Sequence, residues 1–305
     1  MKIIIAGATG FIGRDLINAL LKDHHSIIAL TRKPRSSGTD PHPLLEHVEW
    51  DGKTVGSWTR HVDGADAVVN LCGESLGSGR WSAKRKHLLR SSRIDPTNAL
   101  VESIRRASVK PPVLLNASAV GYYGDTGDVP VSEDRGPSDD YLGKLCVDWE
   151  SAALRSQGLG VRVVLLRSGV VLDPNHGALQ RLLLPFRMFV GGALGSGKQW
   201  FPWIHRDDEI AAILFALNQK DLSGPINLVA PQPITMKELS TELGKVLKRP
   251  SFFSVPSFVL KSLLGEMASV VLTGQRIEPA KILEAGFQFR FPNIREALID
   301  LLRKG

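Results

Sequence analysis

Short apolar runs alternate with longer stretches whose apolar residues recur at helical spacing. The runs at 2–6, 26–30, 67–71, 113–116 and 161–166 read as strands, and 11–21, 96–106 and 142–156 read as helices. Strands that are apolar throughout and separated by helices imply a parallel sheet covered on both faces. The pattern therefore predicts an α/β fold, a doubly wound parallel sheet of Rossmann type. The order changes after about residue 170. A glycine- and proline-bearing stretch fills 185–202, a further strand is expected at 225–229, and Thr235 with Glu238 forms a capping box that opens a helix. From Pro250 the chain reads as helical and ends in an aromatic segment at 286–292. Residues 1–170 are expected to form a dinucleotide-binding core. Residues 171–305 should build a smaller substrate-side lobe with segments returning to the sheet, of which 250–298 is a small helical C-terminal domain.

The first turn carries the most specific signal. Gly7-Ala8-Thr9-Gly10-Phe11-Ile12-Gly13 follows a strand and opens an amphipathic helix. Gly7 permits the tight turn, Gly10 lets the backbone approach a pyrophosphate at the positive helix N-terminus, and Gly13 lets the helix pack closely. Thr9, Phe11 and Ile12 belong to the same loop. The second strand runs into Thr31-Arg32-Lys33, where an NAD site would carry a carboxylate for the ribose 2′-hydroxyl. Arg32 can instead hold a 2′-phosphate bidentately, with Thr31 adding a hydroxyl, so NADP(H) is the expected cofactor. Leu71, Cys72 and Gly73 follow the strand at 67–71, where small residues leave room for the cofactor or simply end the strand.

Composition narrows the remaining classes. With 305 residues and 43% hydrophobic content, the chain can bury a sizeable core. Two cysteines, Cys72 and Cys146, fit a reducing compartment and argue against a disulfide scaffold or a zinc site, so no metal is expected. No apolar run is long enough for a bilayer, and the first residues already read as a core strand, so a cytoplasmic protein is expected. The net charge of +7 favours anionic partners in general, and its densest stretch, Arg80 to Arg93, reads as a solvated helix face. Only Trp81 interleaves with those charges, so a single-strand stacking platform is not expected. The partner expected is a small molecule, with neither nucleic acid nor membrane. Gly192 to Lys198 has the spacing of a phosphate-binding loop, but Gln199 stands where a magnesium-binding Ser or Thr belongs.

Together these segments, with Ser92-Arg93, 118–124, 167–172 and 201–205, resemble the extended short-chain dehydrogenase/reductase family over nearly the whole chain. Within it the chain is most similar to an atypical epimerase-family branch that carries a small C-terminal domain of unknown function. The resemblance implies that Arg93 and Val171 also line the cofactor, Arg93 supplying charge and Val171 touching the nicotinamide end. It also implies an NADP(H)-dependent oxidoreductase or epimerase acting on a small polar substrate, with nucleotide-linked sugars among the candidates. The alternative is a non-catalytic protein that senses cofactor state.

Classical members use a Ser or Thr, a Tyr, and a Lys four residues after the Tyr. Lys144 matches the lysine, which by this resemblance would also bind the cofactor at the nicotinamide ribose, but four residues earlier stands Asp140, and Tyr141 is one place late. Five residues before Gly124, where the serine belongs, stands Ala119, and Ser118 is six before. A one-residue slip on a strand turns a side chain to the other face. Three readings stay open: Ser118, Tyr141 and Lys144 in the usual roles; Tyr122, Tyr123 or Asp140 substituting; or cofactor binding with little chemistry. His205 reads first as a buried structural histidine, with Asp207 or Asp208 capping the next helix.

Overall fold

The computed structural model describes residues 1–33 and 42–303. Seven strands form one parallel sheet: β1 (Lys2–Ala6), β2 (Ser26–Thr31), β3 (Leu45–Glu49), β4 (Ala67–Asn70), β5 (Val113–Ala119), β6 (Arg162–Ser168) and β7 (Gly224–Leu228). Their spatial order is 3-2-1-4-5-6-7, the doubly wound order that reverses between β1 and β4.

Alternation along the strands sorts the core into two layers. Ile3 and Ile5 point with Leu16 and Leu20 of α1 (Phe11–Lys22) into one cluster. Ile4 and Ala6 point with Leu100 and Ile104 of α2 (Ala83–Arg106) into the other. The second layer also receives Ala153 of α3 (Tyr141–Leu154). α4 (Gly177–Arg187) follows β6, and α5 (Arg206–Asn218) covers the α1 side through Ala212, Ile213 and Ala216.

Two elements depart from the expectations drawn from sequence. β3 was not foreseen, because its residues Leu-Glu-His-Val-Glu are half exposed at the sheet edge and carry charges that blunt an edge strand. α2 begins at Ala83, well before Pro96, where proline reads as a helix start. Its first half buries only Leu89, Arg93 and Ile94, so no apolar stripe marks it. Ser82 caps it by accepting from Arg85 N.

The C-terminal lobe has its own core. Leu179, Leu183 and Phe186 of α4 pack with Phe201, Trp203 and the inner face of α6 (Met236–Leu247). Thr235 and Glu238 close the expected capping box at the start of α6. Two further helices, α7 (Ser257–Leu264) and α8 (Ser269–Leu272), lean over the C-terminal edge of the sheet, and α9 (Ala280–Glu284) and α10 (Ile294–Arg303) complete the chain. Residues 192–198 lead into a short strand, Trp200–Phe201, and not into a helix, so they lack the architecture of a phosphate-binding loop. A side chain at Gly192 would collide with the carbonyl of Phe253, which shows how tightly this loop meets the C-terminal segment. Among the described residues no helix is long and apolar enough to cross a membrane. Both cysteines are free thiols.

Candidate cofactor and active site

The glycine turn is built for close approach. Gly7 adopts φ +79° and lies under the backbone of Leu71, where a Cβ would come within 2.7 Å. Gly13 presses α1 against the turn itself, since a Cβ there would sit 2.3 Å from the Gly7 carbonyl. Gly10 caps α1 without a side-chain hydrogen bond, and a Cβ on it would meet only the Gly7 carbonyl, at 3.1 Å. The first turn of α1 holds no acidic residue. No side chain caps its first N–H groups, which lie in the space beside exposed Thr9 and Gly10. The ring of Phe11 stacks on His176 at 5.1 Å between centroids and bounds this space on the α4 side.

Leu30 pairs with Ala6, so Thr31, Arg32 and Lys33 continue beside the glycine turn. Thr31 is buried and its hydroxyl is shared with the backbone of Lys33 at 3.3 Å, whereas Arg32 is exposed. On the other side of β1, Asn70 ends β4 and donates to Asn116 at 2.7 Å and to Thr97 at 2.9 Å. It also accepts from Cys72 N, which fixes the turn at Leu71, Cys72 and Gly73. Burial pushes the Cys72 thiol up to about 12, with the Arg32 charge acting in the opposite sense. Gly73 lies against the Arg93 guanidinium, 3.3 Å from a would-be Cβ. Arg93 is buried, donates to the carbonyls of Leu89 and Glu74, and lies over the Trp149 ring. Burial lowers its pKa.

From Arg93 a cavity of about 320 Å³ opens between the sheet edge and the C-terminal lobe. Its walls are mostly apolar, with Trp81, Leu142, Leu145 and Trp149 on one side and Phe201 and Val270 on the other. Val170 lines it, while Val171 packs towards the cluster of α1 and α5, so the alternation of the strand Val170–Leu172 puts the earlier valine in the wall. The end of α7 and the residues after it form the roof. Arg80 donates to the carbonyls of Leu263 and Ser262, and Lys86 pairs with Glu266. Within the stretch from Arg80 to Arg93, expected as a solvated face, Arg80 and Lys86 thus fasten the roof to the core, while Lys84, His87 and Arg90 are exposed as expected.

The structure does not bring Ser118, Tyr141 and Lys144 together. Ser118 turns away from the cavity and donates to Glu150 at 2.6 Å, and Ala119 takes its place in the wall. Tyr141 lines the cavity, but its hydroxyl is bonded to the Lys86 carbonyl at 2.9 Å, and burial raises its pKa. Lys144 is exposed and is absent from the wall, because the face of α3 that meets the cavity carries Tyr141, Leu142, Leu145, Cys146 and Trp149. Each residue turns a helix by about 100°, and Lys144 falls off that face.

The substitutes fare differently from one another. Asp140 lines the cavity while capping α3 through Gly143 N. Tyr122 and Tyr123 lie behind the wall. The Arg167 guanidinium sits 3.5 Å above the Tyr122 ring. Tyr123 donates to Asn227 and accepts from Arg167, each at 2.8 Å, and burial pushes its phenol up to about 12. His205 is buried outside the cavity and stacks on Phe291. It caps α5 itself, its Nδ1 accepting from Asp207 N at 2.9 Å, so neither aspartate is the cap. Asp208 instead accepts from the backbone N–H groups of Arg290 and Phe291 and anchors the aromatic segment.

Sequence reasoning missed Ser168, which ends β6 in the cavity wall, and Glu209 of α5, to which it donates at 2.6 Å. The available signal was an acidic residue directly before the apolar run Ile210-Ala211-Ala212-Ile213.

Comparison with known proteins agrees with this layout. Residues 3–229 match the NAD dependent epimerase/dehydratase family, and 255–301 match a domain of unknown function, DUF1731. The epimerase family protein SDR39U1 homolog, chloroplastic, of Arabidopsis thaliana is 43% identical over 99% of this chain and 87% of its own length. An epimerase family protein of Mycobacterium leprae is 41% identical over 97% of this chain and 94% of its own. The crystal structure of the human epimerase family protein SDR39U1 (isoform 2) with NADPH superposes with a TM-score of 0.90 at 32% identity, covering 100% of both chains. The chloroplast relative shows that similarity alone does not fix a cellular compartment. A seven-stranded doubly wound sheet, a glycine turn against an open helix N-terminus and a match across most of its length establish that this chain belongs to the NAD dependent epimerase/dehydratase family.

Proposed function

We propose that this chain is an NADP(H)-dependent oxidoreductase or epimerase with a non-classical acid/base, acting on a small polar substrate in the cavity beside Arg93. The observation that carries the cofactor reading is the open N-terminus of α1 next to Thr31-Arg32-Lys33, a strand end with cationic residues and no carboxylate. The NADPH complex of the human relative supports it. Gly7, Gly10 and Gly13 would admit the pyrophosphate to the N–H groups of Phe11 and Ile12, where the helix dipole favours an anion. Arg32 would face the 2′-phosphate, with Thr31 shaping the turn through Lys33. Leu71, Cys72 and Gly73 would form the shelf under the ribose, and Arg93 would add positive charge from behind Gly73. Bound NADP(H) supplies a hydride donor or acceptor. The chain's own part is to orient the substrate against an apolar, water-excluding wall and to move its proton. At about 320 Å³ the cavity lies at the small end of ligand sites, which suits a compact substrate over a whole nucleotide-sugar.

Calorimetry tests the cofactor reading. NADPH should bind at least about tenfold tighter than NADH, roughly 1.4 kcal/mol, and Arg32→Ala should remove most of that margin. Equal affinities in the unaltered protein would overturn it. Turnover is tested by screening small alcohols, ketones and sugars for redox change of bound cofactor. A screen without any such change favours the non-catalytic sensor.

A further inference from the structure

Arg167 and Ser168 are neighbours at the end of β6, and strand alternation sends them to opposite faces of the sheet. Arg167 goes to Glu150 on α3. Ser168 goes to Glu209 in the first turn of α5, donating to Oε1. Glu209 is 1% exposed, and its Oε2 has no hydrogen-bond partner among the described residues. A buried carboxyl left half satisfied is costly, and an apolar residue such as leucine would spare the fold that cost.

Among the described residues no cation offsets it. On the elements packed against α5, Arg167 faces the other layer and Arg162 donates to the carbonyls of 216, 217 and 222. Arg206 pairs with Asp15 and Asp173, and His205 faces Asp207 and Asp300. Arg14 and Lys22 of α1 are not buried with it. Burial pushes the Glu209 carboxyl up to about 7, with the Ser168 hydrogen bond pulling the other way. Near neutrality the group both gives and takes a proton, as a general acid/base must. The cavity-facing positions of the classical serine and lysine hold no such group: Ala119 replaces one and Lys144 points to solvent.

We propose that Ser168 and Glu209 are the proton relay of this cavity, Ser168 exchanging a proton with the oxygen of a bound alcohol or carbonyl and Glu209 storing it behind the wall. The inference rests on the oxidoreductase reading above and names its acid/base. In alcohol oxidation the carbon-bound hydrogen leaves with its electron pair to the oxidised nicotinamide. The substrate O–H bond breaks and its electron pair forms the second C–O bond. The freed proton goes to Ser168 Oγ as the Ser168 hydroxyl proton goes to Glu209 Oε1. Carbonyl reduction is the reverse. Ser168 is the catalytic group, and Glu209 acts through it.

Carbon-13 NMR of the protein with labelled glutamate carboxyls reads the relay without turnover. One carboxyl should titrate near pH 7 and be absent in Glu209→Gln. In Ser168→Ala it should move upward, because the hydrogen bond that lowers it is gone. A Glu209 signal titrating only below about pH 5, within the ordinary carboxylate range, overturns the relay. Calorimetry at pH 7 in buffers of different ionisation heat gives a second reading. NADP⁺, whose ring is cationic, should release up to about half a proton on binding, NADPH close to none, and Glu209→Gln should abolish the release. NADP⁺ that binds without proton release places Glu209 too far from the ring and overturns the relay. Failure of NADP⁺ to bind instead overturns the cofactor reading, while the NMR titration still reports on Glu209. If Glu209→Gln does not fold, the upward shift in Ser168→Ala carries the test. With a substrate in hand, oxidation should rise with pH through about 7 in the parent, and Glu209→Gln should flatten that profile and cost about 100-fold in rate.

Discussion

Two glutamates flank the end of β6, and their surroundings could hardly differ more. Glu150 accepts two hydrogen bonds from Arg167 and one from Ser118, all between 2.6 and 2.8 Å. Arg167 is tied in turn to Tyr123 and to the Glu133 carbonyl, and Glu133 accepts from Asn227 N. Burial works against the Arg167 charge, but the bonds and charge of Glu150 outweigh it and raise its pKa. Glu209, as deeply buried, has one serine. The first carboxylate is neutralised and locked, which suits a brace joining α3 to the sheet. The second is neither, which suits a group whose protonation changes during work. Burial alone does not separate a structural acid from a functional one; the count of partners does.

The largest effect should come from breaking the brace. Glu150→Ala leaves Arg167 buried without its counter-charge and should cost about 3–5 kcal/mol in urea unfolding. A loss below about 1 kcal/mol, the size of an exposed pair, would erase the contrast. Glu209→Gln should act in the opposite direction. The folded pKa of Glu209 lies above its ordinary value, so the native state binds more protons than the unfolded one from about pH 4.5 to about 7. Stability from this group is full below that window and is lost as pH rises through it. The glutamine variant should therefore be more stable at pH 8 by on the order of 2–3 kcal/mol and little changed at pH 4, as read by thermal unfolding at both pH values. An equal change at both would show that Glu209 is ionised like any exposed acid.

Tyr141→Phe sharpens the comparison from the cavity side. Loss of the bond to Lys86 should cost about 1 kcal/mol of stability and leave NADPH affinity unchanged. A rate loss of about 100-fold would transfer the acid/base role from the Ser168 relay to the tyrosine. Lys144→Ala should do least, within about 0.5 kcal/mol in stability and without effect on NADPH affinity. Weaker NADPH binding would mean that α3 presents another face to the cofactor.

The glycine turn, most of the sheet and the capping box of α6 were legible because each is a local pattern with one physical solution. Gly7 and Gly13 occupy positions where a Cβ collides with backbone, and strands buried on both faces announce themselves by composition. The cavity-facing side of α3 was not legible, since it depends on how the helix is rotated. Lys144 keeps the family spacing in sequence yet lies on the solvent side of its helix. Ser118 is displaced by one residue in sequence, and its hydroxyl goes to Glu150 and not to the cavity. Glu209 was hidden in plain view: three acids open α5, and acids at a helix start read as dipole partners. Only the fold shows that the third of them points inward.

The roof of the cavity and the region of the glycine turn come from parts of the chain far apart in sequence. The residues beside the glycine turn, the second strand end and Arg93 all precede residue 94, whereas Ser269, Val270 and Val271 close the cavity from the other end of the chain. The two meet through Arg80, just ahead of α2, which donates to the carbonyls of Ser262 and Leu263 at the end of α7, and through the Lys86–Glu266 pair. Because Arg80 grips backbone, the side chains at the end of α7 can vary without loosening that contact, whereas a change at Glu266 would remove the Lys86 pair.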